Sequence, residues 1–292
     1  MTQASREAII DVKLLSKSFG DDVLFSGVSF KVFQGSFTTI LGLNGIGKSS
    51  LLNILSCKIS ADKAEGTLLG EPLGIDLAEK RQSVALVSEN LNYELGASAR
   101  EFAFYYAQLY PTFDKEKFLH YVKERRLDLS KHFTQYSRGQ KMQYCLILAL
   151  SQNPKLLFID EITSVLDYKA REFFLHELTL FCQNGGTVVL TTNIINEVQQ
   201  CSTDLVIIKS VEEIIWGEQV EILSRFVKLR LSSLSMLTDE IREKALYLGK
   251  DSDHFHLVLI EREKIKDLPS QQDQNLTHPN LHEVFSYLTQ AQ

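Results

Sequence analysis

The 292-residue chain is long enough for about two domains and a sizeable buried core. It is 44% hydrophobic, as in soluble globular proteins, and its formal charge of −6 comes from interspersed acidic and basic residues, with no Lys/Arg block of the kind that binds nucleic acid. The longest apolar stretches, such as residues 145–150, are too short to cross a bilayer, and no basic segment with an apolar run marks a signal peptide, so any membrane association is expected to run through a partner. Cys57, Cys145, Cys182 and Cys201 form no C-x-x-C pair and read as reduced, mostly core residues.

In chain order, residues 9 to about 223 alternate strand-like apolar runs with helical patterns, the mark of an α/β domain. Residues 36–41 read as a buried strand, and a helix opens at Ser49. The runs 84–87, 155–159, 187–190 and 205–208 are short and continuously apolar, as parallel strands covered on both faces are. Between residues 97 and 150 the pattern turns helical without strands, predicting an inserted helical subdomain over about 91–150. There Ser98 is placed to cap a helix whose Phe102, Tyr105, Tyr106 and Leu109 fall at helical spacing. That stripe reads either as core packing or, in part, as a docking face for a partner helix.

The pattern changes after Trp216-Gly217. Residues 227–231 and 255–260 read as strands around a helix at 239–248, and a polar segment at 269–275 precedes a last helix with Leu281, Val284, Phe285 and Leu288. The expected organisation is residues 1–223 as one domain and 224–292 as a small α+β appendix that leans on it. His254 and His256 would share one strand face, with no third ligand spaced for a metal.

Gly42-Leu43-Asn44-Gly45-Ile46-Gly47-Lys48-Ser49 is a complete G-x-x-x-x-G-K-[ST] phosphate loop between the strand at 36–41 and the helix that Ser49 and Ser50 open. Gly42, Gly45 and Gly47 let the backbone turn its N–H groups toward phosphate oxygens, and the helix N-terminus adds partial positive charge. Lys48 is placed to reach the β- and γ-phosphates, and the Ser49 hydroxyl to ligate Mg²⁺. The loop implies binding of a nucleoside triphosphate by residues 42 to 50. Downstream, the strand at 155–159 runs into Asp160 and Glu161. Asp160 is positioned to hold the hydrated Mg²⁺ opposite Ser49, and Glu161 to act as general base on the attacking water. About 20 residues before them, Ser137-Arg138-Gly139-Gln140 precedes an amphipathic helix.

Taken in this order, the motifs resemble those of ATP-binding cassette (ABC) ATPases over residues 9 to about 223. The resemblance implies a P-loop NTPase fold with a mixed-sheet core, an antiparallel β portion and the helical insertion, using ATP and Mg²⁺. It also implies a head-to-tail pair of cassettes, homodimeric or heterodimeric, in which Ser137, Gly139 and Gln140, the signature loop, meet the γ-phosphate held by the opposing subunit. Phe19 sits where the family stacks an aromatic ring on adenine, and residues 164–167 resemble the loop that crosses the dimer interface. Three positions depart from the family. Glu89 stands where a Gln often meets Mg²⁺, and its carboxylate can still ligand the ion. Ile162 replaces a Pro. Asn193 replaces a His that contacts the γ-phosphate and the catalytic Glu, and an amide neither carries charge nor shuttles a proton. Asn193 therefore points either to slower turnover or to a site that binds ATP and hydrolyses it poorly.

Residues 109–114 and 279–285 also resemble bacterial cassettes encoded apart from their permease, commonly in export. The leading expectation is thus the ATPase subunit of a transporter, peripheral at the cytoplasmic side of the inner membrane through a permease and without a nucleic-acid partner. The alternatives are a soluble non-transport ABC ATPase and a regulatory or structural ATP-binding module.

Overall fold

Two twelve-residue strands, β1 (Ala8–Phe19) and β2 (Asp22–Phe33), pair antiparallel and turn through Gly20, whose φ of +60° suits a residue without Cβ. The computed structural model describes residues 6–74, 82–88, 97–161, 166–192, 194–237, 239–263 and 276–290. After β3 (Phe37–Leu41) and α1 (Lys48–Leu55), β4 (Lys63–Leu68) returns to the open edge of β1 and carries β5 (Glu71–Pro72), giving an antiparallel sheet in the order β2-β1-β4-β5. Next come β6 (Val84–Ser88), α2 (Ala99–Leu109), α3 (Lys115–Glu124) and α4 (Arg138–Ser151). They are followed by β7 (Leu156–Asp160), α5 (Tyr168–Gln183), β8 (Thr187–Thr191), α6 (Ile195–Val198), β9 (Asp204–Ile208), β10 (Ile214–Glu218) and α7 (Gln219–Ser224). The central sheet runs β10-β9-β3-β8-β7-β6, parallel except for β10.

Every residue of β3, β8 and β9 is buried, and along β7 only Asp160 is less so. The side-chain period of two sorts these apolar runs onto two faces. Leu157, Ile159, Val188 and Leu190 join one core with α4 and α5, while Leu156, Phe158, Val189 and Val206 join another with α1 and the antiparallel sheet. The sheets thus sandwich α1 through Leu51, Leu52 and Leu55.

The helical insertion packs around Tyr144, which is fully buried, donates to the Ala99 carbonyl at 2.6 Å and meets the rings of Phe102, Phe118, Phe133 and Tyr136. Ser98 caps α2 in a reciprocal box with Glu101. The expected aromatic stripe of α2 divides: Phe102 and Tyr106 pack on the core, whereas Tyr105 and Leu109 stand in solvent beside Phe104. The inward face instead combines Phe102 and Tyr106 with Ala99 and Ala103. Ser98 and His132 add a single antiparallel bridge to a region expected to lack strands. The four cysteines form no disulfide: Cys145 and Cys182 are buried, Cys201 is half-buried and Cys57 is exposed.

From residue 226 the chain forms a third sheet, β12-β13-β11-β14, from β11 (Phe226–Leu231), β12 (Leu246–Lys250), β13 (His256–Glu261) and β14 (Leu276–Thr277). The helix expected over 239–248 is shorter. It is α8 (Asp239–Lys244), because residues 246–250 leave it to pair with β13. His254 does not share a strand face with His256: it lies in the preceding turn at φ +66°. No group of three or more His, Cys, Asp or Glu side chains that could hold a metal ion forms among the described residues. The last helix, α9 (Leu281–Gln290), is capped reciprocally by Asn280 and Glu283. It buries Leu281, Val284 and Leu288 against Leu41, Leu205 and Ile207 of the central sheet. Residues 264–275, which include the polar segment expected at 269–275, lie outside the described residues.

Because α9 fills a core shared with β3 and β9, Leu281→Ala is expected to lower stability by about 2–4 kcal/mol through lost burial and a residual cavity. Urea denaturation of the whole chain measures this as a shift in midpoint.

Candidate functional site

The fully buried strand β3 delivers the chain to Gly42 at the edge of the central sheet. A Cβ at Gly42 would come within 2.6 Å of Ile46 Cγ2 and 3.3 Å of Ile208 Cβ, so the loop closes on itself with no room for a side chain. Gly45 (φ +81°) and Gly47 (φ +107°) take left-handed conformations, and a Cβ at Gly47 would lie 2.9 Å from both Leu24 and Phe25. Gly47 is the N-cap of α1 and supplies no side-chain acceptor. The first N–H groups of α1 are therefore left to an external anion, at the end where the helix dipole favours one.

Lys48 folds back over this turn. Its ammonium is buried and donates to the carbonyls of Gly42 at 2.9 Å and Leu43 at 3.1 Å. Burial pushes its pKa below the ordinary lysine value, opposed by the nearby carboxylates of Glu161 and Asp160. Both acceptors are neutral, so an approaching polyphosphate would find an ammonium whose charge is not already paired in contact.

The carboxylates arrive from β7. Asp160 pairs with Thr191 across β7 and β8, and its Oδ1 accepts from the hydroxyls of Ser49 at 3.0 Å and Thr191 at 2.6 Å. Glu161 follows at φ +55°, a left-handed conformation that costs a non-glycine residue about 1 kcal/mol or more. Its N–H donates to the Thr191 carbonyl at 3.2 Å. Asn44, Gly45, Gly47, Lys48, Ser49, Ser50, Asp160, Glu161 and Thr191 together line an open cleft of about 430 Å³. Hard oxygen donors from Ser49 and Asp160 facing a basic loop fit a small divalent cation carried with a polyphosphate. Thr191 is the member that no sequence motif marks. Its signal was its place at the end of an apolar run that stands in register with the run ending at Asp160.

The remaining described candidates are not among the residues that line the cleft. Leu43 is exposed at the loop, and Ile46 packs into the core beside α1. Ser137 N-caps α4: its Oγ accepts from the Gln140 N–H at 3.2 Å, and Gln140 Oε1 accepts from the Ser137 N–H at 3.0 Å. Gly139 lies in the first turn of the same helix. Phe19 ends β1 half-exposed, with the Lys17 ammonium 4.9 Å from its ring centroid. Glu89, Asn193 and residues 162–165 lie outside the described residues.

A family model described as ABC transporter matches residues 25–164. The Nod factor export ATP-binding protein I of Bradyrhizobium sp. (strain SNU001) is 31% identical over 216 residues, which span 72% of this chain and 70% of that protein. The chain belongs to the ABC transporter ATPase family. The counterpart from Bradyrhizobium diazoefficiens is 28% identical over 295 residues, 96% of each chain, so that likeness runs through the C-terminal sheet as well. A solved ATP-binding subunit of an ABC transporter shares the fold at a TM-score of 0.65 and 23% identity, covering 73% of this chain and 91% of that one. The chain is therefore an ATP-binding ABC ATPase whose phosphate loop and paired carboxylates meet at one cleft.

Lys48→Ala in this ABC ATPase is expected to weaken ATP binding at least tenfold, because it would remove the ammonium that lines the cleft beside the phosphate loop. Equal affinities of wild type and variant by calorimetry would refute that role.

Proposed function

We propose that this ABC ATPase powers a separate multi-spanning permease, in the direction of export, and that it acts as one of two cassettes closed head to tail around ATP. The observation that supports this most is the division of the nucleotide machinery within one chain. The cleft gathers Lys48, Ser49, Asp160 and Glu161, whereas Ser137, Gly139 and Gln140 sit at the N-terminus of α4 and form none of its lining. A second cassette, identical or different, would bring its own signature loop to complete the site. Export is supported by the relatives, named for export of Nod factor. No helix among the described residues is long and apolar enough to cross a membrane, so a membrane post, at the cytoplasmic face, would be held through the permease. The exposed Phe104, Tyr105 and Leu109 of α2 offer an apolar face to it.

In this reading Lys48 and the N–H groups of the loop hold the β- and γ-phosphates, and Phe19 stacks on adenine. Ser49 and Asp160, with Glu89, would hold Mg²⁺, which when bound neutralises charge on the phosphate oxygens. Glu161 takes the proton of the attacking water. Asn193 donates a neutral hydrogen bond where the family has an imidazole. Closure on ATP and reopening after hydrolysis would pass motion to the permease. Asn193 also favours a second reading, a slow module in which ATP binding rather than turnover is the signal.

Glu161→Gln keeps an acceptor but removes the base, so with saturating ATP it is expected to accumulate a closed dimer, seen by light scattering. A variant that remains monomeric even with its permease present counts against the sandwich. Co-purification from detergent-solubilised membranes should yield a multi-spanning partner.

Asn193→His is expected to raise steady-state ATPase turnover about tenfold, equivalent to about 1.4 kcal/mol of the barrier. An imidazole can become cationic as charge gathers on the γ-phosphoryl oxygens, while an amide stabilises ground and transition states more evenly. An unchanged or lower rate in a folded variant removes position 193 as the bottleneck.

A further inference from the structure

Phe19 presents a problem that its own strand does not solve. An aromatic ring at the end of β1, 52% exposed, has little packed around it to fix its orientation, yet a base-stacking ring has to be held in one. The neighbouring strand supplies a device. Asp62, just before β4, hydrogen-bonds its own N–H to the Ser16 carbonyl at 3.0 Å, while its carboxylate reaches across to β1 at two points. Asp62 Oδ2 accepts from the Ser18 N–H at 2.6 Å, and Oδ1 accepts from the Lys17 ammonium at 3.2 Å. The Lys17 side chain, only 14% exposed, is thereby drawn against Phe19, its ammonium 4.9 Å from the ring centroid.

We infer that Asp62 is a positioning residue for nucleotide recognition: through Ser18 and Lys17 it clamps the end of β1, so that one face of Phe19 is covered by a cation and the other is presented to the base. This rests on the reading of Phe19 as the base-stacking ring. The cation does two things. It fixes the ring by attraction to its π-face, and it limits base stacking to the uncovered side. The Asp62 carboxyl is held below the usual carboxylate range, first by the Ser18 N–H and then by Lys17, in keeping with an acceptor that stays ionised while it grips both groups. Asp62 does not line the phosphate cleft, so its effect should fall on the base and spare the triphosphate.

That separation sets the test. The whole 292-residue chain is assayed for ATP hydrolysis, with inorganic tripolyphosphate, which has no base, as competitive inhibitor. Asp62→Ala is expected to raise KM for ATP on the order of threefold, with kcat and the inhibition constant of tripolyphosphate unchanged. Asp62→Asn keeps an acceptor for the Ser18 N–H but removes the negative charge that faces the Lys17 ammonium, and should fall between wild type and Asp62→Ala. Phe19→Ala should raise KM at least as much, and adding Asp62→Ala to it should raise KM no further. If Phe19→Ala raises KM and neither Asp62 variant does, the clamp is overturned while base stacking stands. If Phe19→Ala leaves KM unchanged, the stacking reading falls and the clamp with it. If the Asp62 variants weaken tripolyphosphate as much as ATP, the residue supports the phosphate site generally and the inference is wrong.

Discussion

Asp160 pairs with Thr191 across β7 and β8, and Thr191 pairs with Ile40 across β8 and β3, so three strand ends reach one edge of the sheet together. Two residues beyond Ile40 the chain becomes the phosphate loop, and one residue beyond Asp160 stands Glu161. The register is held by the alternation that sends Leu157, Ile159, Val188 and Leu190 into one core and Leu156, Phe158 and Val189 into the other. A slip of one residue in β7 would exchange those faces and carry Asp160 away from the hydroxyls of Ser49 and Thr191. The polar cleft is thus located by apolar packing, and its hydrogen bonds are made between groups already delivered to the same place.

The same logic reaches the C-terminal sheet. Leu41, the last residue of β3, does not join the cores of its strand neighbours Phe37 and Ile40. It packs with Leu281, Val284 and Leu288 of α9. The residue immediately before Gly42 is therefore braced from outside the central α/β layers. Arg6 makes a comparable tie at the other end of β9, pairing with the buried Asp204 at 2.8 Å and with Glu218 at 3.0 Å while lying over the ring of Phe33. The antiparallel and central sheets are joined there by charge as well as by the apolar layer between them.

Much of this was legible in the residues. The parallel strands are short, continuously apolar runs, as strands covered on both faces are, and a phosphate loop between such a run and a helix carries its own context. The misreadings have specific causes. On α2 the inward face includes Ala99 and Ala103, whose small side chains announce little, so the larger Tyr105 and Leu109 drew the stripe one position around the helix. Residues 245–248 are apolar over too short a span for periodicity to separate helix from strand, and pairing with β13 decided it. Thr191 went unremarked because a hydroxyl at a strand end has no motif, and its role is visible only once the register with Asp160 is known. The Asp62 contacts are tertiary, 44 and 45 residues apart in sequence, and no local pattern signals them.

Ser137 illustrates why a hydroxyl occupies the N-cap of α4. It already accepts from the Gln140 N–H, a duty that aspartate or asparagine performs equally well. A hydroxyl, however, has two lone pairs and one proton, so it accepts from the helix and still donates outward in the same rotamer. In a closed pair of cassettes that spare proton is what a facing phosphate oxygen would receive, with no side chain turned and no cap surrendered. Aspartate there would preserve the helix and oppose the closure, since its oxygens have no proton to offer and carry the charge of the ligand itself. If two cassettes close as proposed, the choice of capping residue, invisible to helix stability, becomes a choice about which surfaces can meet.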